Sequence, residues 1–184
     1  MTFKFDNSML GDVAKCDACS VAKHVHGRQA KRSLDYGKFG NVEHAALKVY
    51  FDGKGKEATL AEFDREYDSI VPPGEAPSDV VFERQNMRTI TEQFCLTRPL
   101  EQFPFEVVET EKTVGVELAP GYEFYMKRDM LVKEKETGFM VPVDHKTRWG
   151  QINQWWLRKF RGSSQFSGYI WGNRQLTGGR GDKV

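Results

Sequence analysis

The sequence predicts an α/β fold of α+β-like order: helices first, then an antiparallel strand meander, then helices again. Three observations carry this. Up to about residue 100 the apolar side chains recur at helical spacing; between about 103 and 147 the pattern shifts toward period two in β-favouring residues; from about 150 to 176 helical spacing returns. At 184 residues one hydrophobic core suffices, so residues 1–184 are expected to form a single domain.

In the first part, Val42, Ala45, Ala46 and Val49 make one helical stripe, and Val80, Met87, Ile90 and Phe94 make another. Between them VPPGEAPSD, from Val71 to Asp79, concentrates proline and glycine and should loop, with Ser78 or Asp79 free to cap a helix running to about Cys95. The segments FEVVETEKTVGVEL, YEFYMKRDMLV and GFMVPVDHKT, separated by APG and KEKETG, read as three or four strands joined by hairpins. QINQWWLRKF and SQFSGYIWGNRQL then return to helical spacing, broken at Arg161-Gly162-Ser163, where a serine can cap the second helix.

The total of 27 Lys+Arg against 26 Asp+Glu excludes a uniformly basic coat protein and a disordered polyelectrolyte. The charge is nevertheless divided. From His145 to Val184 there are eight basic residues and one acid, and the same stretch holds all four tryptophans, Trp149, Trp155, Trp156 and Trp171. Such a surface neutralises phosphates and stacks on bases. It equally fits a helical hairpin with core tryptophans and solvated charges, and at least two of the four are expected to be mostly buried. No apolar run approaches the roughly 18 residues of a membrane span. Three cysteines cannot all pair within the chain, and MTFKFDNSML lacks a basic leader followed by an apolar stretch, so a reducing cytoplasm is expected.

The sharpest chemistry lies in the meander. Asp144 and Lys146 stand two apart in VPVDHKT; on a strand their side chains would leave one face about 6–7 Å apart and share a pocket. Asp129, in MKRDMLV, is placed for a hairpin to bring a second carboxylate beside the first. Two converging acids repel unless a cation sits between them; hard oxygen ligands suit Mg²⁺ or Mn²⁺, and a nearby lysine can hold a water that attacks phosphorus. Taken alone, the D-x-K spacing also fits a surface pair, with Asp129 a hairpin charge. Of Glu109, Glu111 and Glu117 on the first strands, Glu111 is the best placed to face the site and assist a second metal; the alternative is a charged strand edge, and none joins the expected ligand set. Separately, Cys16-x-x-Cys19-x₄-His24-x-His26 offers a Cys₂His₂ set for zinc, or else a helical segment with one buried cysteine and surface histidines.

Four segments in one order, Phe39-Gly40-x-x-x-His44-x-x-Leu47, Asp129, Asp144-His145-Lys146-Thr147 and Gln165-x-x-x-Tyr169, resemble the RecB-like branch of the PD-(D/E)XK nuclease superfamily. The opening Ser8-x-Leu10 followed by Cys16 is similar to the family's usual start, so the resemblance runs from about Ser8 to Tyr169. Where the family commonly has G-x-x-D, this chain reads Met126-Lys127-Arg128-Asp129, without the glycine. The resemblance implies a restriction-endonuclease-like core and a Mg²⁺- or Mn²⁺-dependent deoxyribonuclease, an exonuclease by preference, acting in recombination, repair or phage DNA processing within a bacterial or phage-infected cell. It implies His44, Asp129 and Asp144 as metal ligands, joined by the main-chain carbonyl of His145. Lys146 would position the attacking water. Gln165 and Tyr169 would contact DNA or brace the site, and Arg148, Arg158, Lys159 and Arg161 would hold the strand. Some relatives carry an iron–sulfur cluster on one early and three late cysteines; nothing after Cys95 is cysteine here, so no such cluster is expected. Relatives usually continue beyond the position of Tyr169 with another strand and helix, so a homo-oligomer or a partner completing that part is a further expectation. A non-catalytic DNA-binding accessory protein and a small zinc-stabilised interaction module remain as readings from other classes.

Overall fold

Ala-Pro-Gly ends one long strand and starts the next. In the computed structural model, which describes residues 2–28, 37–71, 78–147, 152–161 and 163–178, strand β2 (Phe105–Ala119) turns through Pro120 and Gly121 into β3 (Tyr122–Glu134). Gly121 takes φ +83, a conformation that glycine reaches at no steric cost. β2 and β3 pair antiparallel along nearly their whole length, and β4 (Met140–Val143) pairs antiparallel with the C-terminal half of β3. The meander is therefore as expected. A fourth strand is not: β1 (Phe3–Asp6) pairs parallel with the N-terminal half of β3, which makes a mixed four-stranded sheet. Four residues are too few to display a period, and the sheet edge that recruits them lies over a hundred residues away in the chain.

Asp6 ends β1 and accepts a hydrogen bond from Met9 N at 2.8 Å, capping α1 (Asn7–Lys15). A short α2 (Asp17–Ser20) and a π-helical turn (Val21–Val25) complete an N-terminal arm. Three longer helices follow: α3 (Gly37–Phe51), α4 (Gly55–Ile70) and α5 (Ser78–Thr97). α3 links two parts of the core. Its Phe39, Val42 and Ala46 pack on Phe63 and Tyr67 of α4, whereas Tyr50 and Phe51 pack on Cys95 of α5 and on Met130 and Val132 of β3. Arg84 and Arg88 of α5 clip Asp64 of α4, each at 3.0 Å. The buried stripe of α5 runs through Met87, Thr91 and Phe94, and Ile90, expected on it, is 65% exposed. A hydroxyl that bonds Glu43 at 2.9 Å takes the core position that the apolar pattern gives to isoleucine.

After β4 come α6 (Gln154–Arg158) and α7 (Ser164–Thr177). α6 is half the length expected, a single turn or so capped by Asn153, which accepts from Trp156 N at 2.9 Å. Ser163 stands at the N-cap of α7, but its side chain makes no capping bond. α7 lies close on β3 because Gly168 and Gly172, one turn apart, carry no side chain. A Cβ at Gly168 would stand 2.8 Å from the Asn7 amide and 2.9 Å from the Phe124 ring, and one at Gly172 would stand 2.6 Å from Met126 Cε. Two core tryptophans do not materialise among the described residues. Trp155 is 66% exposed, Trp171 lies exposed against the Phe124 ring, and Trp156 is half-buried against Phe160; Trp149 lies outside the described residues. No helix of the described residues is long and apolar enough to cross a membrane.

Candidate metal centre

Three neighbouring strands deliver carboxylates to one level of the sheet. The pairs Thr110↔Met130 and Lys112↔Arg128 bracket Glu111 and Asp129, so these two acids stand opposite each other on β2 and β3. The pair Met130↔Val143 brings Asp144, the residue after β4, alongside Asp129. α3 crosses over this point. Its Leu47 and Phe51 pack on the sheet, and His44, one turn before Leu47, is the polar end of that apolar face. His44 Nδ1 lies 3.3 Å from Asp129 Oδ2 and 3.4 Å from Glu111 Oε1.

One donor atom each from His44, Glu111 and Asp129 lie within 4.8 Å of one another, the geometry of a group able to hold a metal ion. Their side chains are mostly withdrawn from solvent, with Asp129 9% exposed and Glu111 13%. Two carboxylates and an imidazole at this separation repel less with a cation among them, and the oxygen-rich set fits Mg²⁺ or Mn²⁺. Glu111 reaches the group from a left-handed backbone, φ +47, which is unusual for a residue with a side chain and is not expected within a strand. Lys127 pairs with its other oxygen at 2.6 Å.

Asp144, expected as a ligand, lies beside this group and is not among its three side-chain donors. The Asp144 side chain is 1% exposed: Lys146 Nζ lies 2.6 Å from Oδ2 as an ion pair without hydrogen-bond geometry, so that buried oxygen has no hydrogen-bond donor, and Gln165 Nε2 donates to Oδ1 at 3.0 Å. β4 ends at Val143, so Asp144 and Lys146 do not follow the alternation of a strand; the irregular backbone lets them meet directly. His145 serves through its backbone N–H, which donates to Asp129 Oδ2 at 2.7 Å, while its ring stacks on Phe51 with centroids 5.3 Å apart. Gln165 and Tyr169 share one face of α7. Gln165 Nε2 also donates to the Tyr169 hydroxyl at 2.9 Å, and that hydroxyl donates to the Lys127 carbonyl at 2.5 Å. Tyr169 is buried, and through these bonds it links α7 to β3 at the floor of the cleft.

The titrations follow from these contacts. The hydrogen bond to Asp129 holds the His44 imidazole above its ordinary value, against the effect of burial. Burial alone would raise Asp129, but hydrogen bonds from His44 and the His145 backbone outweigh it and hold the carboxyl low. Asp144 moves the other way: burial raises it despite Lys146, and the Asp129 charge adds to the rise. Burial also lowers His145 and pushes Tyr169 up to about 12. Two neighbouring acids, Asp129 on β3 and Asp144 just after β4, thus titrate in opposite directions, a pattern more frequent at functional sites than elsewhere.

An open cleft leads to these groups, walled by Asn41 of α3, Lys15 and Lys23 of the arm, Lys146, and Ser163 and Gln165 at the start of α7. Arg158, Lys159 and Arg161 are exposed on α6 and the turn after it, and Arg148 lies outside the described residues. Among the described residues Cys16, His24 and His26 form no group able to hold a metal ion. His24 Nε2 is held by Asp12 Oδ2 at 2.9 Å, the Lys23 ammonium shares that oxygen at 2.6 Å, Cys16 and His26 are exposed, and the Cys19 side chain lies outside what is described. The Lys23 ammonium thus shares with His24 the same carboxylate oxygen of Asp12. The residue that the sequence placed outside the ligand set is Glu111; its usable signal was its position in a strand next to that of Asp129. No protein-family model and no curated protein matches this chain.

Proposed function

We propose that this chain is a Mg²⁺- or Mn²⁺-dependent nuclease of the RecB-like PD-(D/E)XK type, with a restriction-endonuclease-like core, hydrolysing phosphodiester bonds of DNA as an exonuclease. The observation that carries the reading is the convergence of His44, Asp129 and Glu111 around one point, with the Asp144–Lys146 pair at its side in the same cleft. His44, Asp129 and the Asp144–Lys146 pair follow one another in the chain in the order of the family's motifs, to which Glu111 does not belong.

In this reading His44, Glu111 and Asp129 hold the ion. Bound there, it supplies Lewis acidity toward the scissile phosphate and lowers the pKa of a water. The Lys146 ammonium, fixed by Asp144 and 32% exposed to the cleft, orients the attacking water and screens the charge that develops on phosphate. Asp144 sets that ammonium in place, and Gln165 and Tyr169 set Asp144 in place. Asp129 keeps its geometry through the His145 N–H, so the loop that carries Lys146 and the ligand strand move as one unit.

The test is digestion of end-labelled linear DNA and of circular DNA, with and without Mg²⁺, by the wild-type protein and by Asp144→Ala and Lys146→Ala. Metal-dependent loss of linear but not circular DNA, abolished in both variants with DNA binding kept, supports the proposal. Undiminished cleavage in both variants overturns it. DNA binding with no divalent dependence and no hydrolysis would make the chain a non-catalytic DNA-binding protein of the same fold.

A further inference from the structure

α6 links two segments that both line the metal cleft: Lys146 precedes it and Ser163 follows it. Large apolar side chains of this short stretch stand in water. Ile152 is 64% exposed, Trp155 66% and Leu157 52%, in a protein whose other aromatic rings mostly pack on one another. The Lys159 ammonium lies 4.6 Å from the centre of the Trp155 ring, covering one face. Beside it, Gln154, Leu157, Arg158 and Arg161 line a shallow recess. Among the described residues neither arginine pairs with a carboxylate, and His145 to Val184 contains one acid in all. A flat aromatic surface flanked by unpaired guanidinium groups suits an occupant that is both planar and anionic.

We infer that α6 is a docking platform for an unpaired nucleotide next to the scissile phosphate: its base stacks on Trp155 and its phosphate enters the Arg158–Arg161 recess. Charge complementarity selects a nucleic-acid strand as the occupant. A base that is still paired and stacked in a duplex has no free face to offer, so the platform favours a single-stranded flank. This rests on the nuclease reading for its place beside the cleavage point, but not for its binding chemistry.

The experiment compares three fluorescein-labelled probes by anisotropy with Ca²⁺ in place of Mg²⁺: an oligothymidylate of twelve nucleotides, an abasic strand of equal length and charge, and a twelve-base-pair duplex. The wild-type protein is expected to bind the oligothymidylate more tightly than the other two. Trp155→Ala should lose about tenfold for oligothymidylate and nothing for the abasic strand, whereas Trp155→Phe keeps most of the preference. Arg158→Ala/Arg161→Ala should weaken all three probes and flatten the dependence on salt. Equal binding of thymidylate and abasic strands by the wild type, or an unchanged preference in a Trp155→Ala protein with native circular dichroism, overturns the inference. Hydrolysis of bis(p-nitrophenyl) phosphate by the wild type with Mn²⁺ tests the nuclease reading separately. No hydrolysis, together with a thymidylate preference that depends on Trp155, would leave the platform standing and remove the enzyme.

Discussion

Glu111 and Asp129 stand opposite each other on β2 and β3, and both point an oxygen at the same atom, His44 Nδ1, at 3.4 and 3.3 Å. The two reach it by different means. Asp129 does so from ordinary extended backbone, whereas Glu111 does so from φ +47. A residue with a side chain held there costs of order 1–3 kcal/mol, and the surrounding ladder must impose it.

The first prediction separates that strain from the chemistry. Glu111→Gly and Glu111→Ala both remove the carboxylate, but only glycine accepts the backbone without penalty. The glycine variant should be more stable than the alanine variant by about 1 kcal/mol in urea unfolding. Both should lose Mn²⁺ binding in calorimetry. Equal stabilities would mean that the left-handed backbone at this position carries no cost.

Ligation and catalysis separate at the next pair of acids. Asp144 is engaged by Lys146 and Gln165 and lies outside the three-donor group, so Asp144→Asn should keep Mn²⁺ affinity within about tenfold of the wild type while hydrolysis disappears. Asp129→Asn should lose both. If Asp144→Asn abolishes Mn²⁺ binding as completely as Asp129→Asn, Asp144 is itself a ligand and the roles assigned here to Glu111 and Asp144 change places.

How much of this was legible in the sequence depends on range. Asp129, Asp144 and Lys146 are legible because a strand and a hairpin convert their short spacings into proximity, whereas His44, Gln165 and Tyr169 stand out only through the resemblance of their motifs. Glu111 reads equally as a charged strand edge, because its approach depends on a left-handed residue that no alternation of side chains announces. β1 was missed for a related reason: it is a strand only because β3 offers it an edge. The exposure of Trp155 and Trp171 went against expectation because burial is a property of what packs against a residue. With α6 reduced to Gln154–Arg158, the helical pairing that would have covered those rings does not form.

Protons and metal compete for His44. The hydrogen bond to Asp129 raises the imidazole above its ordinary 6.5, so the metal-free fold gains stability from the charged form below pH 6.5 and loses it as pH rises through the raised value. Metal needs the neutral ring. Apparent Mn²⁺ affinity should therefore climb with pH across this window, with a limiting slope of about tenfold per unit for one released proton. His44→Gln should bind more weakly by at least about 10–100-fold and show no such slope. A wild-type affinity that does not change between about pH 6 and pH 8 would exclude His44 from the ligand set.

Gly168 and Gly172 test whether the helix that braces Asp144 is also what anchors the arm across the cleft. Both glycines face β3, but the atoms that a methyl group would meet differ in kind. At Gly172 they are the thioether end of Met126, which has rotamers to spare, so Gly172→Ala should cost little, under about 1 kcal/mol. At Gly168 they are the Asn7 side-chain amide at 2.8 Å, which must swing away from its seat, and the buried Phe124 ring at 2.9 Å, which cannot retreat without moving the third core cluster. Gly168→Ala should therefore destabilise the fold by about 1–3 kcal/mol. Because Asn7 opens the helix that contributes Lys15 to the cleft wall, the change should also raise hydrogen exchange in α1 before it raises exchange in α3. Equal costs at the two glycines, with α1 no more open than α3, would show that the arm is held by something other than its seat on α7.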